Sequence, residues 1–154
     1  MGSRWKIPIR AAGLGLLPLA LAAAASARPQ ARPDLVEAKV SNPPDMAAAG
    51  ERFKVTDRVH NRGGARARRS TSAYYLIKGT KRMLVGFRTV RRVGAGKTNV
   101  GSSFVSIPPS ATTGFYRLRV CADVRHVVRE ASEANNCRYA ARKLHVTKPK
   151  PPPI

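Results

Sequence analysis

Short runs of alternating apolar and polar residues, separated by glycine, proline and asparagine, dominate the sequence from position 34 onward. Phe53, Val55 and Val59 fall on one side of such a run, and Lys54 and Arg58 fall on the other. A period of two is typical of β-strands, because successive side chains of a strand point to opposite faces. No segment after position 27 shows the 3.6-residue apolar period of a helix, so we expect an all-β domain.

Seven such runs occur at regular spacing with turn residues between them, as in an antiparallel β-sandwich. A closed barrel is the alternative architecture. The composition is 43% hydrophobic, which is too apolar for a wholly disordered basic protein. The predicted strands are residues 34–40, 52–60, 70–77, 83–90, 98–107, 115–122 and 137–146.

Two positions break the alternation. Asp57 falls on the apolar side of its strand, so it either pairs with an arginine or lies at a bulge. In the last strand, Arg138 and Arg142 share the parity of Leu144 and Val146, and a bulge between them would resolve this conflict.

The first 27 residues have the pattern of an export signal: a basic start, an apolar run, and the small residues Ala25 and Ala27 at a cleavage point. An uncleaved anchor is disfavoured, because the apolar run is shorter than the ~20 residues that span a bilayer. Residues 28–33 are expected to be a flexible lead-in, 34–147 the folded domain, and 148–154 a proline-rich disordered tail. No transmembrane segment is expected in the mature chain, and the protein is predicted to be secreted, either free or associated with the cell envelope.

Export changes the interpretation of the two cysteines, Cys121 and Cys137. In an oxidising compartment they can form a disulfide, and closing a loop of this size stabilises a fold by roughly 3 kcal/mol in the chain-entropy account. Two cysteines alone do not make a zinc site, which needs four ligands. The histidines His60, His126 and His145 are scattered, so neither a metal nor a cofactor is expected.

Positive charge is the strongest feature of the composition, with 29 Lys and Arg against 8 Asp and Glu and a net charge of +21. The arginines cluster around the turn after the second predicted strand and around the fourth. This pattern suggests contact with an anionic polymer of the cell envelope or another polyanion, because arginine binds carboxylate and phosphate groups well. The alternative is that arginine is abundant throughout without selection for binding. The candidate contact residues are Arg62, Arg66, Arg68, Arg69, Arg88, Arg91 and Arg92.

The Arg62-Gly63-Gly64 segment also occurs in RNA-binding repeats, but a single copy between two predicted strands is interpreted as a turn. No specific nucleic-acid partner is therefore expected.

The segment before the last strand concentrates acids and amides and has two interpretations. Its carboxylates and amides could bind calcium, which takes six to eight oxygen ligands. Arg125 and Arg129 in the same segment would oppose that. We therefore expect these side chains to bond to backbone groups and hold a long hairpin loop. The predicted structural residues are Asp123, Glu130, Glu133, Asn135 and Asn136.

No catalytic pattern is found in the sequence. Residues 94–98 resemble the end of a phosphate-binding loop, but Arg91 stands where its first glycine would be, and a strand follows instead of a helix. No Gly-x-Ser-x-Gly motif occurs, and a bonded cysteine pair leaves no thiol nucleophile. The protein is predicted not to be an enzyme, with a small hydrolase as the remaining catalytic alternative.

Several segments appear in an order that resembles the CARDB domain, a module named for cell adhesion in bacteria. They are Pro33-Asp34-Leu35-Val36, Phe53-Lys54-Val55-Thr56, Val59-His60-Asn61-Arg62-Gly63, Gly114-Phe115-Tyr116, and Val128-Arg129-Glu130-Ala131-Ser132-Glu133-Ala134-Asn135-Asn136-Cys137. The resemblance covers about residues 33–147. It implies an immunoglobulin-like sandwich carried on an exported protein, often in repeats or joined to other domains, whereas a single copy is present here.

These observations predict an exported, non-catalytic module that binds a protein or glycan at the bacterial cell surface through its loops and sheet faces. The turn at residues 62–69 is the first candidate contact. The alternative is a diffusible cationic protein that coats anionic envelope polymers without specificity.

Overall fold

The computed structural model describes residues 30–149 and residue 151. The predicted leader lies outside the described residues, as do residues 28 and 29 of the lead-in and residues 150 and 152–154 of the tail. The described chain forms eight strands: β1 (Leu35–Val40), β2 (Met46–Ala48), β3 (Arg52–Asn61), β4 (Ser70–Lys78), β5 (Lys81–Val90), β6 (Thr98–Ser106), β7 (Gly114–Cys121) and β8 (Cys137–Thr147).

Two facing sheets make a β-sandwich, as the alternation predicted. The smaller sheet has the order β1-β3-β6, and the larger has the order β2-β8-β7-β4-β5. Every neighbouring pair is antiparallel except β2 and β8, which run parallel. All seven predicted strands are present with ends shifted by one or two residues. The structure has one further strand, β2, which was not predicted because its three residues are too few to show an alternation.

The inward halves of the two sheets form the core. In β3, Phe53, Val55 and Val59 are buried while Lys54 and Arg58 are exposed. In β7, the alternation buries Tyr116, Leu118 and Val120 and leaves Phe115 and Arg117 outside. Burial of apolar surface between the sheets is therefore the main stabilising term, as in other sandwiches.

Asp57 lies in this core and is paired with an arginine, the first of its two predicted explanations. The carboxylate is fully buried and accepts two hydrogen bonds from Arg88 of β5, at 2.9 and 2.5 Å. Tyr74 of β4 donates a third through its hydroxyl, at 2.6 Å. The buried charge is thus neutralised and hydrogen-bonded, the condition under which a charge is tolerated in an interior.

The predicted irregularity in the last strand is also present. Arg117 of β7 faces Lys143 of β8, but Arg119 faces Tyr139, so the β8 strand has two extra residues in this interval. Two extra residues leave the parity of the strand unchanged, so Arg138 still pairs with the inward Val120, and its Nε donates to the carbonyl of Glu37 at 2.9 Å. Arg142 lies exposed within the bulge, and Leu144 and Val146 beyond it are fully buried.

Cys121 and Cys137 are joined in a disulfide between facing positions of β7 and β8. Both positions belong to the larger sheet, on its outer face, and the bond closes the loop that runs from Ala122 to Asn136. The base of the longest loop in the described chain is therefore covalently fixed.

Asn61, at the end of β3, connects three segments. Its Oδ1 accepts the N–H groups of Asp34 and Gly63 at 3.0 Å, and its Nδ2 donates to the carbonyls of Ala65 and Val93 at 2.8 and 3.0 Å. Gly63 is required beside it, because a Cβ there would lie 2.2 Å from the carbonyl oxygen of Arg32. The start of β1, the turn after β3 and the turn before β6 therefore meet at one end of the sandwich.

Candidate anion-binding surface

The turn between β3 and β4 carries four of the predicted contact arginines, and all four are exposed: Arg62, Arg66, Arg68 and Arg69. A bridge between Ala67 and Val93, with hydrogen bonds of 2.8 and 3.1 Å, fastens this turn to the one that follows β5. The two arginine clusters of the sequence are thereby brought to the same end of the molecule.

Arg69, Arg91 and Arg92 line one open hollow of about 570 Å³ at this end. Arg66 lies exposed in the same turn. None of these four side chains takes part in an ion pair among the described residues. We call Arg66, Arg69, Arg91 and Arg92 the arginine end surface.

Two other arginines of the turn have partners within the protein. The Nε of Arg68 donates to the carbonyl of Val127 at 2.6 Å. The Nε of Arg62 lies 3.8 Å from the Asp34 carboxylate. These two side chains fasten the turn to neighbouring segments, so they are less available to an external anion.

Arg88 does not belong with the surface arginines. Its side chain is 9% exposed and is held by Asp57 and by Asn99, whose Oδ1 accepts from Nη1 at 2.8 Å. Burial would lower the pKa of Arg88, but the Asp57 carboxylate outweighs it and raises that pKa. The guanidinium of Arg88 is buried in the core and paired there, so the prediction that Arg88 contacts a partner is wrong.

Acidic side chains are withdrawn from the surface. Five of the eight are buried: Asp34, Glu37, Asp57, Asp123 and Glu130. In contrast, every Lys and Arg of the described residues is exposed except Lys78, Arg88 and Arg119. The surface therefore carries a larger excess of cations over acids than the composition alone indicates.

Glu37 is the most perturbed of these acids. Burial, reinforced by the charge of Asp57, raises the pKa of Glu37 to about 8, while the hydrogen bond from Ser72 lowers it. The carboxyl therefore keeps its proton to a higher pH than a solvent-exposed glutamic acid does.

The loop that the disulfide closes is held by its own polar side chains. The Asp123 carboxylate accepts the N–H groups of Val127 and Val128 at 3.1 and 2.7 Å. Burial raises its pKa, although these two hydrogen bonds oppose the shift. One end of the loop is thus folded around a buried carboxylate.

Glu130 fixes the other end of this loop. It accepts the N–H of Leu35 and, at 2.7 Å, the Nδ2 of Asn136. Burial raises the pKa of Glu130 to about 7 against these hydrogen bonds, which lower it. The start of β1 is thereby attached to the loop.

The remaining predicted loop residues also make hydrogen bonds within the protein. Asn135 donates to the Asp34 carboxylate at 2.9 Å, a side-chain partner where backbone partners were expected. Glu133 accepts the N–H of Glu130 at 3.3 Å and lies 3.0 Å from Nδ1 of His126. The hydrogen bond between Glu133 and His126 raises the pKa of the His126 ring. All five loop residues that the sequence singled out thus make hydrogen bonds within the protein.

The comparison with protein families adds to this geometry. The family model of the CARDB domain matches residues 32–140, which include the acidic and amide-rich loop. The chain belongs to the CARDB family.

Two solved structures are similar to this CARDB domain. The CARDB domain of the PF1109 protein from Pyrococcus furiosus, solved in complex with di-metal ions, is 22% identical with a TM-score of 0.54, covering 75% of this chain and 90% of that one. A domain of a protein described as a cell-surface protein from Methanosarcina acetivorans is 19% identical with a TM-score of 0.55, covering 75% and 93%. At this identity the likeness shows the shared all-β fold. No curated protein matches the sequence.

Two further features of the described residues bear on the predictions. Residues 30–149 and 151 contain no group of three or more His, Cys, Asp and Glu side chains that could hold a metal ion. No helix in this part of the chain has the length and apolar character of a membrane span.

The three histidines lie apart, on β3, on the loop and on β8. His126 is close to an acid, but this pair is exposed and does not lie in a deep cleft.

Proposed function

We propose that this CARDB domain is an exported, non-catalytic interaction module whose partner is an anionic protein or glycan at the bacterial cell surface. CARDB domains as a kind are cell-surface domains without a catalytic role. The observation that carries the proposal is the burial of five of the eight acids, together with the absence of any ion pair at Arg66, Arg69, Arg91 and Arg92 among the described residues.

The arginine end surface is the proposed contact. Its four guanidinium groups come from two turns that the Ala67–Val93 bridge holds together. Because guanidinium groups bind carboxylate and phosphate oxygens through paired hydrogen bonds, a rigid cluster of them favours a partner with closely spaced anionic groups. The summed field of the basic surface would also speed the encounter with such a partner.

The test is retention of the purified protein on immobilised heparin as salt is raised. We expect retention to fall steeply, since exposed charges are screened over about 10 Å at 0.1 M salt. A response that is flat in salt would contradict the proposal.

A matched pair of variants locates the contact. We expect the triple variant Arg69→Gln, Arg91→Gln and Arg92→Gln to elute at clearly lower salt than the control triple variant Lys39→Gln, Lys54→Gln and Arg58→Gln. Both remove three exposed charges, but the control charges lie on the outer face of the smaller sheet.

The basic surface also supports the second candidate, a diffusible cationic protein that coats anionic envelope polymers without specificity. Equal losses in the two triple variants, together with similar binding to polymers of different chemistry, would favour this candidate. A strong preference for one polymer or one protein would favour the interaction module.

A further inference from the structure

The outer face of the larger sheet carries a second concentration of arginine, which differs from the arginine end surface. In β7, Phe115, Arg117 and Arg119 point outward, because Tyr116, Leu118 and Val120 between them are buried. The register places Tyr75 of β4 and Tyr139 of β8 on either side of Arg119. We call Tyr75, Arg82, Arg117, Arg119 and Tyr139 the arginine–tyrosine face.

Tyrosine rings support the arginines of this face. The guanidinium carbon of Arg117 lies 3.8 Å from the ring centroid of Tyr139, and that of Arg119 lies 5.7 Å from the same ring. Arg82 lies 5.0 Å from the ring centroid of Tyr75. A guanidinium held over a ring keeps its N–H groups free for an anion and loses less conformational entropy when it binds one.

No acid competes for these arginines within the sheet. The five strands of the larger sheet contain no Asp or Glu. Arg82, Arg117 and Arg119 take part in no ion pair among the described residues, so their charges are not neutralised by a neighbouring carboxylate.

A small hollow lies on this face of the sheet. Tyr75, Arg82 and Arg119 line it, together with the two disulfide cysteines and the pair of His126 and Glu133. Glu133 is the one acid at the rim, and its carboxylate lies 3.0 Å from the His126 ring. Glu133 is thus already paired, and the unpaired charges that line the hollow are those of Arg82 and Arg119.

We propose that the arginine–tyrosine face binds an acidic polysaccharide, with the carboxylate groups of its uronate units on Arg117 and Arg119. This inference rests on the proposed function and adds to it a second site, separate from the arginine end surface, with its own ligand class. Each uronate unit has a planar carboxylate, which suits a guanidinium, and an apolar ring face, which suits an aromatic side chain.

Phe115 supplies the aromatic part of such a site. Its ring is 64% exposed and stacks on His145 at a centroid distance of 4.7 Å. Phe115 lies two positions before Arg117 on the same face of β7, about 6.8 Å along the strand. Both guanidinium groups lie against the ring of Tyr139, so Phe115 can pack on one sugar ring while the arginines bind the carboxylate of a neighbouring unit.

The disulfide favours a glycan over a nucleic acid as the occupant. Disulfides persist in oxidising compartments outside the cytoplasm, so a bonded Cys121–Cys137 pair favours a partner found outside the cytoplasm. Single-stranded DNA and an acidic peptide share the charge but differ in their rings, so both serve as competing outcomes of the test.

The experiment is calorimetric titration of the purified protein with oligogalacturonate, compared with its methyl-esterified form, which keeps the sugar chain and removes the charge. We expect binding of the acid form alone. We expect the variant Arg117→Gln with Arg119→Gln to lose about tenfold or more in affinity, as when charge-assisted hydrogen bonds are removed.

The control variant is Lys54→Gln with Arg58→Gln, which removes two exposed charges from the opposite face of the sandwich. It should change the affinity far less than the Arg117 and Arg119 variant. Because Arg119 is half-buried, Arg117→Gln alone and Phe115→Ala, both at exposed positions, provide second tests that leave the fold undisturbed.

Three outcomes would overturn the inference. They are equal affinity for the acid and esterified ligands, equal losses in the face and control variants, and tighter binding of single-stranded DNA or poly-glutamate than of oligogalacturonate. If the face variant binds like the native protein and the Arg69, Arg91 and Arg92 variant does not, this inference fails while the proposed function stands. Absence of binding to any anionic polymer would refute both.

Discussion

At the residue scale, the end of the sandwich that presents the arginines depends on Asn61. The side chain is fully buried and uses both its acceptor and its donors in four hydrogen bonds to backbone groups of three segments. Buried backbone groups that lose their partner cost more than an ordinary hydrogen bond contributes. This single amide therefore keeps two turns and the start of β1 in place.

Asn61→Ala should lower the free energy of unfolding by about 2–4 kcal/mol, because it leaves several buried backbone groups unpaired. Urea unfolding measures the change. Asn61→Asp is the matched comparison, since it keeps the acceptor for Asp34 and Gly63 and loses the donor to Ala65 and Val93. A loss below about 0.5 kcal/mol in the alanine variant, the range of ordinary surface substitutions, would contradict this role.

The buried pair of Asp57 and Arg88 gives a second prediction at this scale. Arg88→Met should destabilise the protein by about 3–5 kcal/mol, because it leaves the Asp57 carboxylate buried without its counter-charge. Adding Asp57→Leu should recover much of that loss, since the unpaired charge is then removed. Thermal and urea unfolding of the two variants measure this, with Arg91→Met as the exposed control. Full stability in Arg88→Met would show that the pair is not important for the fold.

At the element scale, β7 and β8 form a hairpin whose long loop is fixed at both ends. The disulfide joins the strands at Cys121 and Cys137, and Asp123 and Glu130 organise the loop between them. In addition, the carbonyl of Val127 in this loop accepts a hydrogen bond from Arg68, which lies in the turn between β3 and β4. The order of the loop and the position of that turn are therefore connected.

Replacing both Cys121 and Cys137 with alanine should lower the free energy of unfolding by roughly 3 kcal/mol, the loop-closure contribution of a bridge of this size. Unfolding with and without a reductant measures the same bond in the native protein, and the two values should agree. If the double variant unfolds at the same urea concentration as the oxidised native protein, the disulfide makes no contribution to stability.

At the scale of the whole molecule, the charges are separated between inside and outside. Buried acids serve the core and the loop, while the arginines and lysines remain at the surface. The buried acids then make stability depend on pH, because burial raises the pKa of Glu37 to about 8 and that of Glu130 to about 7, both from 4.5. The folded state holds these protons more tightly than the unfolded chain does.

The melting temperature should therefore fall as the pH rises from 5 to about 8, since the stabilising effect of protonation is complete below 4.5 and is lost through the folded-state pKa values. The raised pKa of His126 acts in the same direction. Calorimetric melting across this range measures the trend. Glu37→Gln, which cannot ionise, should reduce the fall in melting temperature but not abolish it, because Glu130 and His126 still titrate. A melting temperature that rises with pH would contradict the assignment.

The local pattern of the sequence determined the fold class and the positions of seven strands. Alternation, turn residues and the cysteine pair are properties of neighbouring positions, so they are visible without any tertiary contact. The strand β2 was missed because three residues carry no period, and its place comes from pairing with β8.

The composition of the two candidate binding surfaces could not be predicted, because each is formed by residues that are distant in the sequence. The sequence identified the arginines but grouped Arg88 with Arg91 and Arg92, and only packing shows that Arg88 serves Asp57. The convergence of Arg69 with Arg91 and Arg92, and the alignment of Tyr75, Arg119 and Tyr139, likewise arise when separate strands come into register. The sequence by itself therefore determined the sandwich and its charge, because periodicity and composition are local. Tertiary structure decided which charges are exposed, because burial depends on neighbours that are far away along the chain.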